Sequence, residues 1–449
     1  MKKTLVLLTA VSAGMAFADV CTTLFTAQPS VSNVTMAPKA GTKSYVVSYD
    51  LNTDAYVTVA FETNCVALPA ELCADVGGNV NRYVAGGEGR QIVWRPDRLS
   101  GFVDLRDVKP VVTVWPLDVP PPYMVVQLDS SSNVAYYASA AAIPDGVAHR
   151  RYKTTHMVFA KIPAAGRNWT MGNVAGERGT DTRELIRTVT FTRDYYMAIY
   201  ECTGGQYKLL MGSNPTKTST THPYTDDLDV VPVSSTTLAK VRSDGSNGNF
   251  GLPPTASSYV GKMRARTGLA VDLPTHAEWE VAARAGCTGR VNVPGATMND
   301  VAWTSSNWKN DPKYAAGLYT KNQTHEVGLL KPNAFGLYDT IGNVLEQGRE
   351  WLIASAPEAY VATFGEAATL SNYGDIVWVD PAYYENSITV GGKTYTAGDA
   401  DSGRWGGAYA EGETSNGMSP SRWAGYGHAG QTDTGFRLMC PVANGGKLD

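Results

Sequence analysis

Three segments in the second half of the chain limit its fold more than any other feature. They read DLPTHAEWEVAARAG at 272–286, NAFGLYDTIGNVLE at 333–346 and GFRL at 435–438. Their glycines suit tight turns or close approaches of the backbone, which residues with a Cβ tolerate poorly. The aromatic residues among them are predicted to lie in the core: Trp279, Phe335, Tyr338 and Phe436. Arg437 is predicted to be a buried, paired arginine.

Two helices are predicted near the first of these segments. One covers 258–267 and ends at Gly268, a residue type that readily takes the left-handed conformation of a helix C-cap. The other begins with Thr275 and Glu278, whose side chains satisfy each other's free backbone N–H groups in a capping box. It is predicted to stop at Gly286. The rest of this half is rich in Gly, Asn, Ser, Pro and aromatic residues, so specific loop packing must hold it together.

In their order and spacing, the three segments resemble the formylglycine-generating enzyme (sulfatase-modifying factor) family. Two further stretches, WTMG at 169–172 and YECTGGQY at 200–207, resemble the entry strand of that family. RWGGAY at 404–409 is similar to its arginine-glycine-glycine-serine-tryptophan strand. The resemblance covers 165–441 and implies the C-type-lectin-like α+β fold of the family.

The first part of the chain alternates polar and apolar residues with a period of two. Segments 45–51 and 56–61 show this alternation on either side of a turn, and 91–94 and 108–115 are further strand candidates. Many strands without a helical period predict an all-β, immunoglobulin-like sandwich. A small irregular barrel is the alternative.

A run of three prolines within 118–123 marks the predicted boundary between the two parts, because prolines favour a stiff, extended connection. The predicted organisation is a signal peptide (1–18), a β-sandwich domain (19–118), a linker and lead-in (119–164), a sulfatase-modifying-factor-like domain (165–441) and a tail (442–449).

The N-terminus has the pattern of a secretory signal. Lys2 and Lys3 precede an apolar stretch at 4–15 and a small-x-small cleavage site at 16–18. We therefore expect an exported protein that is periplasmic, attached to the cell surface or secreted. The apolar stretch is shorter than the roughly 20 residues of a membrane span, and no later segment approaches that length.

The charge composition argues against a nucleic-acid partner. Only 18% of residues are charged and the net charge is −4, whereas nucleic-acid binding calls for a basic patch.

Six cysteines in an exported chain permit disulfides. Cys65 and Cys73 are close enough in sequence for a local bridge, and Cys202 and Cys440 lie in predicted strands that could be neighbours. Buried free thiols that pack as small apolar groups are the alternative for each.

The family resemblance implies a calcium site in the second segment. Family members hold the ion with an Asn, a Glu three residues further on, and oxygens two and four residues beyond that Glu. The matching residues here are Asn343, Glu346, Gly348 through its carbonyl, and Glu350. Such hard oxygen ligands suit calcium. Two family tryptophans are replaced here, by Leu345 and Gln347. A hydrogen-bonded loop is the alternative.

The copper chemistry of the family lacks its ligands in this chain. The oxidases hold copper with two cysteines just after the glycine-glycine strand, since thiolates suit copper(I). The corresponding stretch, 408–430, contains no cysteine. The sequence therefore predicts no copper site and no formylglycine-generating activity.

Segment 409–430 instead has the composition of a binding loop. Isolated aromatic residues offer contact area at low entropy cost, and the Gly, Ser, Thr and Asn around them adapt to a ligand. The residues expected to bind ligand are Tyr409, Arg422, Trp423, Tyr426 and His428. An ordinary folded loop is the alternative.

Together these patterns predict an exported, non-catalytic relative of formylglycine-generating enzymes that binds a glycan or protein through the 409–430 face. The first alternative is a formylglycine-generating oxidase or another enzyme of this family. The second is a structural protein of the cell envelope.

Overall fold

The computed structural model describes residues 28–96, 105, 107–129, 133–172, 186–216, 227–243, 252–311, 314, 323–351, 377–380, 387–390, 393–396, 402–412, 423–426 and 432–442. The predicted signal peptide and all but the first residue of the predicted tail lie outside these ranges.

In the first part of the chain, the described residues form strands and one short helix. The strands are β1 (Val31–Pro38), β2 (Tyr45–Leu51), β3 (Ala55–Thr63), β4 (Val66–Ala67), β5 (Val76–Gly78), β6 (Arg82–Val84), β7 (Gly87–Trp94) and β8 (Val108–Trp115). Helix α1 covers Ala70–Cys73. The predicted strands all occur here, because their alternation places one side chain in two against a shared core.

These strands form two antiparallel sheets. One has the order β1-β2-β7-β5, and in the other β3 pairs with β4, β6 and β8. Between the sheets Phe61 stacks on Trp94 with ring centroids 3.9 Å apart, and the Trp94 indole donates to the Leu72 carbonyl at 2.8 Å. Two sheets around one core are the arrangement of a sandwich. An immunoglobulin-like strand topology stays a prediction.

The described residues of the second part form strands in four sheets. They are β9 (Tyr123–Gln127), β10 (Val134–Tyr137), β11 (His156–Ile162), β12 (Trp169–Met171), β13 (Arg187–Thr190), β14 (Tyr195–Ala198), β15 (Leu345–Trp351), β16 (Val377–Val379), β17 (Ser387–Val390), β18 (Lys393–Thr396), β19 (Ser402–Trp405), β20 (Trp423–Tyr426), β21 (Thr434–Gly435) and β22 (Met439–Pro441). The sheet orders are β10-β9-β11-β14-β22, β12-β13-β16, β20-β19-β15-β21 and β17-β18.

The five-stranded sheet is the centre of this part. Three of its strands, β9 to β11, come from 119–164, the segment expected to be a linker and lead-in. The proline run before them is fixed to the sheet, since Lys161 Nζ donates to the Pro120 carbonyl and the Tyr196 hydroxyl to that of Pro121, both at 2.6 Å. The boundaries proposed for the two domains stay a prediction.

The helices are short. They are α2 (Gly204–Met211), α3 (Leu238–Val241), α4 (Tyr259–Thr267), α5 (His276–Arg284) and α6 (Met298–Val301). Both predicted helices are confirmed: Ser258 caps α4, and Gly268 ends it in the left-handed conformation (φ 68°). The left-handed residue that ends α5 is Ala285 (φ 49°), one position before the predicted Gly286.

Each face of the five-stranded sheet covers a hydrophobic core. On one face Phe159 and Tyr196 pack with residues of α2, α3 and α4. On the other, their neighbours Val158 and Tyr195 pack with residues of α5 and with Trp405. Tyr56 of the first part belongs to the core that contains Phe159 and Tyr196, and its ring centroid is 4.5 Å from that of Tyr136. No helix in the described ranges is long and apolar enough to cross a membrane.

Candidate functional site

Helix α5 sets the position of the site. The predicted capping box is present: Thr275 N donates to Glu278 Oε2 at 2.8 Å, and Glu278 N to Thr275 Oγ1 at 3.3 Å. With its start fixed, the helix buries Trp279, which is 1% exposed. The Trp279 indole points at β15 and donates to Glu346 Oε2 at 2.8 Å. The cap therefore sets the register between the helix and the segment expected to bind calcium.

Glu346 forms a buried ion pair with Arg437. Both guanidinium contacts, Nε to Oε2 and Nη2 to Oε1, are 2.6 Å long, and each side chain is 1% exposed. Arg437 also donates to the carbonyls of Ala198 at 3.2 Å and Tyr338 at 2.9 Å. The prediction that Arg437 is a buried, paired arginine is confirmed.

Asn343 is held by hydrogen bonds as well. Its Oδ1 accepts from the His325 backbone N–H at 2.9 Å, and its Nδ2 donates to Glu201 Oε2 at 2.8 Å. Asn343 takes a left-handed conformation (φ 58°), which asparagine tolerates better than most residues. Its side chain thus ties the loop at His325 to the segment after β14 that carries Glu201.

Two further acids lie near the ion pair. Burial raises the pKa of Glu201 well above its usual range, and the neighbouring Asp339 and Glu346 carboxylates add to this shift. Burial likewise raises the pKa of Asp339 to about 6. Arg437 opposes both shifts, but its two shortest contacts are to Glu346. Glu346 is therefore the acid that contacts Arg437 most closely.

The remaining predicted ligands lie along β15. Gly348 packs against Trp405 so closely that a Cβ would lie 1.6 Å from the ring atom Cη2. Glu350 is buried, with 2% exposure. The strand thus brings the four predicted residues into one buried region.

The arrangement of Asn343 and Glu346 does not fit a calcium cage. Calcium takes six to eight oxygens, whereas both Glu346 oxygens are bound by Arg437 and the Asn343 amide oxygen accepts a backbone hydrogen bond. An ion here would compete with Arg437 for the Glu346 oxygens and weaken the only counter-charge shown for this guanidinium among the described residues. Among the described residues, no three His, Cys, Asp or Glu side chains are grouped as metal ligands.

A second buried polar cluster, which the sequence did not reveal, lies on α5. Glu280 accepts from Arg284 Nε at 2.7 Å and from the Gly172 backbone at 2.7 Å, and its other oxygen is 3.1 Å from His276 Nε2. Arg284 above all lowers the Glu280 pKa to about 2, against the effect of burial. The i, i+4 spacing of His276, Glu280 and Arg284 was the available sequence signal. The cluster is enclosed in the core.

The predicted binding face is described only in part. Tyr409 is half-buried: its backbone N–H donates to the Asn343 carbonyl at 2.9 Å, and its phenol interacts with Thr432. Trp423 and Tyr426 are the end residues of β20, which pairs with β19 and stands at the edge of its sheet as far as the described strands show. Arg422 and His428 lie outside the described residues.

The described cysteines are free thiols. Cys65 and Cys73 are not bridged, and neither are Cys202 and Cys440. Cys440 lies opposite Tyr196 in the sheet, whereas the Cys202 backbone N–H bonds to the carbonyl of Phe436, four residues before Cys440. Burial raises the pKa of the thiols of Cys202 and Cys440 to about 12.

Residues 149–440 match the model of the sulfatase-modifying factor enzyme 1-like domain. The chain belongs to this family.

A curated relative, a chaperone protein LppX of Paenibacillus barcinonensis, is 29% identical over 181 residues, which make up 35% of this chain and 62% of that protein. Several solved structures are similar to this chain, among them three with TM-scores between 0.38 and 0.41. Treponema denticola variable protein 1 has a TM-score of 0.40 at 19% identity, and the match covers 64% of this chain and 95% of that protein. PvdO from Pseudomonas aeruginosa has a TM-score of 0.41 at 19% identity, and the match covers 63% of this chain and 93% of PvdO. CarF has a TM-score of 0.38 at 18% identity, and the match covers 64% of this chain and 99% of CarF.

Proposed function

We propose that this protein is an exported, non-catalytic member of the sulfatase-modifying factor family that binds a glycan or protein ligand through the 409–430 face. The observation that carries the proposal is the composition of that segment, which has aromatic and small polar residues where copper-binding oxidases need two cysteines.

The state of the other thiols supports a non-catalytic role. Copper(I) binds thiolates, and burial keeps Cys202 and Cys440 in the thiol form by raising the pKa of each to about 12. Neither cysteine lies in the segment that follows the glycine-glycine strand. The oxidase alternative would therefore need a different way to activate oxygen.

The position of β20 supports a binding face. An edge strand leaves one side of its backbone unpaired within the sheet, which is a common place for a ligand chain to add. Trp423 and Tyr426 stand at the two ends of this strand. A protein ligand also agrees with the name of the chaperone relative. Calcium is not included, because Asn343 and Glu346 bind protein groups instead.

One experiment tests the non-catalytic half. The protein, loaded with copper(I), is incubated with oxygen and a cysteine-containing sulfatase peptide, and the peptide mass is measured. We expect no aldehyde product. An aldehyde-bearing peptide would show that the oxidase alternative is right.

The binding half is tested on glycan and peptide arrays with Trp423→Ala and Tyr426→Ala. We expect each substitution to weaken binding about tenfold or more, as at an aromatic hot spot, and to leave the melting temperature unchanged. Tyr83→Ala is the matched control, because Tyr83 is 40% exposed and lies on β6 in the first part of the chain. Strong destabilisation by both test substitutions would show that these residues belong to the core. Absence of any array ligand would favour a structural envelope protein.

A further inference from the structure

A groove of about 550 Å³ opens on one side of the sandwich in the first part of the chain. It runs between β1 and β8, which are edge strands of the two sheets as far as the described strands show. Alternate residues of β1 line one wall, namely Val34, Met36 and Pro38, and Val108 and Pro110 of β8 line the other. The core of the sandwich is therefore accessible from this edge.

The groove exposes apolar surface that belongs to this core. Met36, Tyr45 and Leu105 are only partly buried where they pack against the core, and Val34 is 37% exposed. Tyr45 is held in place by Trp94, with the two ring centroids 5.7 Å apart. The volume lies within the range of small-molecule sites, and a contiguous apolar surface that is already formed is typical of them.

The two edge strands are protected against the addition of another β-strand. The register of β1 on β2 shifts between Ser32 and Thr35, and β8 carries Lys109 and Pro110. Proline fits a strand where its missing N–H would face away from the neighbour, so Pro110 removes a donor from the open edge of β8. Bulges, lysines and prolines are the usual devices against edge-to-edge pairing. The groove therefore suits an occupant that contacts side chains rather than the main chain.

The charge beside this apolar surface is positive. Lys109 is exposed and is the one charged side chain among the described residues that line the groove. Lys39 and Lys43 are exposed in the turn that follows β1. Glu62 lies opposite Lys109 in the ladder of β3 and β8, and Asp107 is two residues before it, but neither acid lines the groove. An anionic group at the mouth of the groove is thus complementary in charge.

We propose that this groove binds the hydrocarbon chain of a fatty-acid-type carboxylate, with the chain along Val34, Met36 and Pro38 and the carboxylate beside Lys109. A saturated chain has no polar group that would need a hydrogen-bond partner, so it can enter an apolar groove without that cost. The wall from Val34 to Pro38 is about 13 Å long at the rise of a β-strand, which accommodates a chain of medium length. The site lies in the first part of the chain and does not depend on the 409–430 face.

Decanoate is a suitable probe, because it joins a carboxylate to a chain of medium length. Its binding to the full chain is measured by calorimetry below the concentration at which it forms micelles, beside hexanoate and octanoate. The affinity should rise about fourfold with each added methylene group, as expected when a hydrocarbon chain is buried. Decyltrimethylammonium has the same chain length and a positive head, and it should bind more weakly. An affinity that does not depend on chain length, or equal binding of the cation, would overturn the proposal.

Variants locate the binding. Val34→Asp places an acid in the groove at an exposed position, so it should weaken decanoate binding at least tenfold and leave the melting temperature unchanged. Val66→Asp is the matched control, because Val66 is 65% exposed on β4 and does not line the groove. Lys109→Gln should weaken decanoate binding about two- to fivefold, as expected for an exposed ion pair, without weakening that of decyltrimethylammonium. Wild-type affinity for decanoate in the Val34→Asp and Lys109→Gln variants would refute the assignment.

Other occupants of the groove predict different results. If a second copy of this chain fills it, the wild type should sediment as a dimer that Val34→Asp dissociates, and decanoate should not bind. If a segment of the same chain fills it, decanoate should not bind either, and Val34→Asp should lower the melting temperature whereas Val66→Asp should not. Either outcome would show that the groove is not a site for a fatty-acid-type ligand.

Discussion

Removing Glu346 should strongly destabilise the protein, because it leaves Arg437 buried without a counter-charge. Breaking a buried ion pair from one side costs about 3–5 kcal/mol. The Trp279 indole N–H, which donates to Glu346 at 2.8 Å, loses its partner at the same time. For Glu346→Ala we therefore expect a loss of about 4 kcal/mol or more in the free energy of unfolding. At an m-value of about 3 kcal/mol/M, that loss lowers the urea midpoint by about 1.3 M.

A double-mutant cycle separates the ion pair from the general cost of a cavity. Urea unfolding, followed by tryptophan fluorescence, is measured for Glu346→Leu, Arg437→Met and the double variant. An apolar pair can replace a buried ion pair at little cost, so the double variant should be more stable than either single one. Glu88→Ala, at an exposed acid on β7, is the control and should have almost no effect. Additive losses in the cycle, or a loss below about 1 kcal/mol for Glu346→Ala, would refute the reasoning.

Three further predictions follow from the same region. Chelation with EDTA should leave the melting temperature unchanged, since the Glu346 oxygens bind Arg437; a fall of several degrees that calcium reverses would show that the family's calcium site exists here. The folded-state pKa of Asp339 is about 6, above its ordinary value of 3.8, so the folded protein holds this proton more tightly than the unfolded chain does. The stability that this proton contributes is about 3 kcal/mol, and it is lost as the pH rises through about 6. Asp339→Asn should therefore flatten the dependence of the urea midpoint on pH between about 4 and 6, and an unchanged slope would contradict the assignment. Gly348→Ala should lower the free energy of unfolding by about 1–3 kcal/mol or more, because the new Cβ forces Trp405 to move. The control Gly289→Ala should be well tolerated, since the nearest atom to its Cβ is 3.6 Å away. Equal thermal midpoints for the two variants would show that the strand can shift.

Local sequence signals predicted the local structure well. The capping box of Thr275 and Glu278 and the C-cap Gly268 determine interactions within a few residues, and the structure contains all of them. Period-two alternation likewise identified β2 at its observed bounds, and the further strand candidate at 108–115 has the bounds of β8. These features depend on neighbours in the chain, which a single sequence contains.

Long-range partners could not be predicted in the same way. The burial of Arg437 was predicted, but its partner Glu346 is 91 residues away and was assigned to a metal because of the family resemblance. The strands β9 to β11 were missed as part of the central sheet because the nearby proline run indicated a connection.

The last strand of the chain has a consequence for the order of events during synthesis. Strand β22 completes one edge of the central sheet beside β14, more than 240 residues earlier, and Arg437 just before it neutralises Glu346. Until residues 434–441 have left the ribosome, the acid lacks this counter-charge and β14 lacks its second neighbour in the sheet. The second part of the protein therefore cannot finish folding before these residues have been synthesised, whereas the sandwich before it can. Nascent chains stalled before residue 434 should be far more sensitive to protease in this part than in the sandwich.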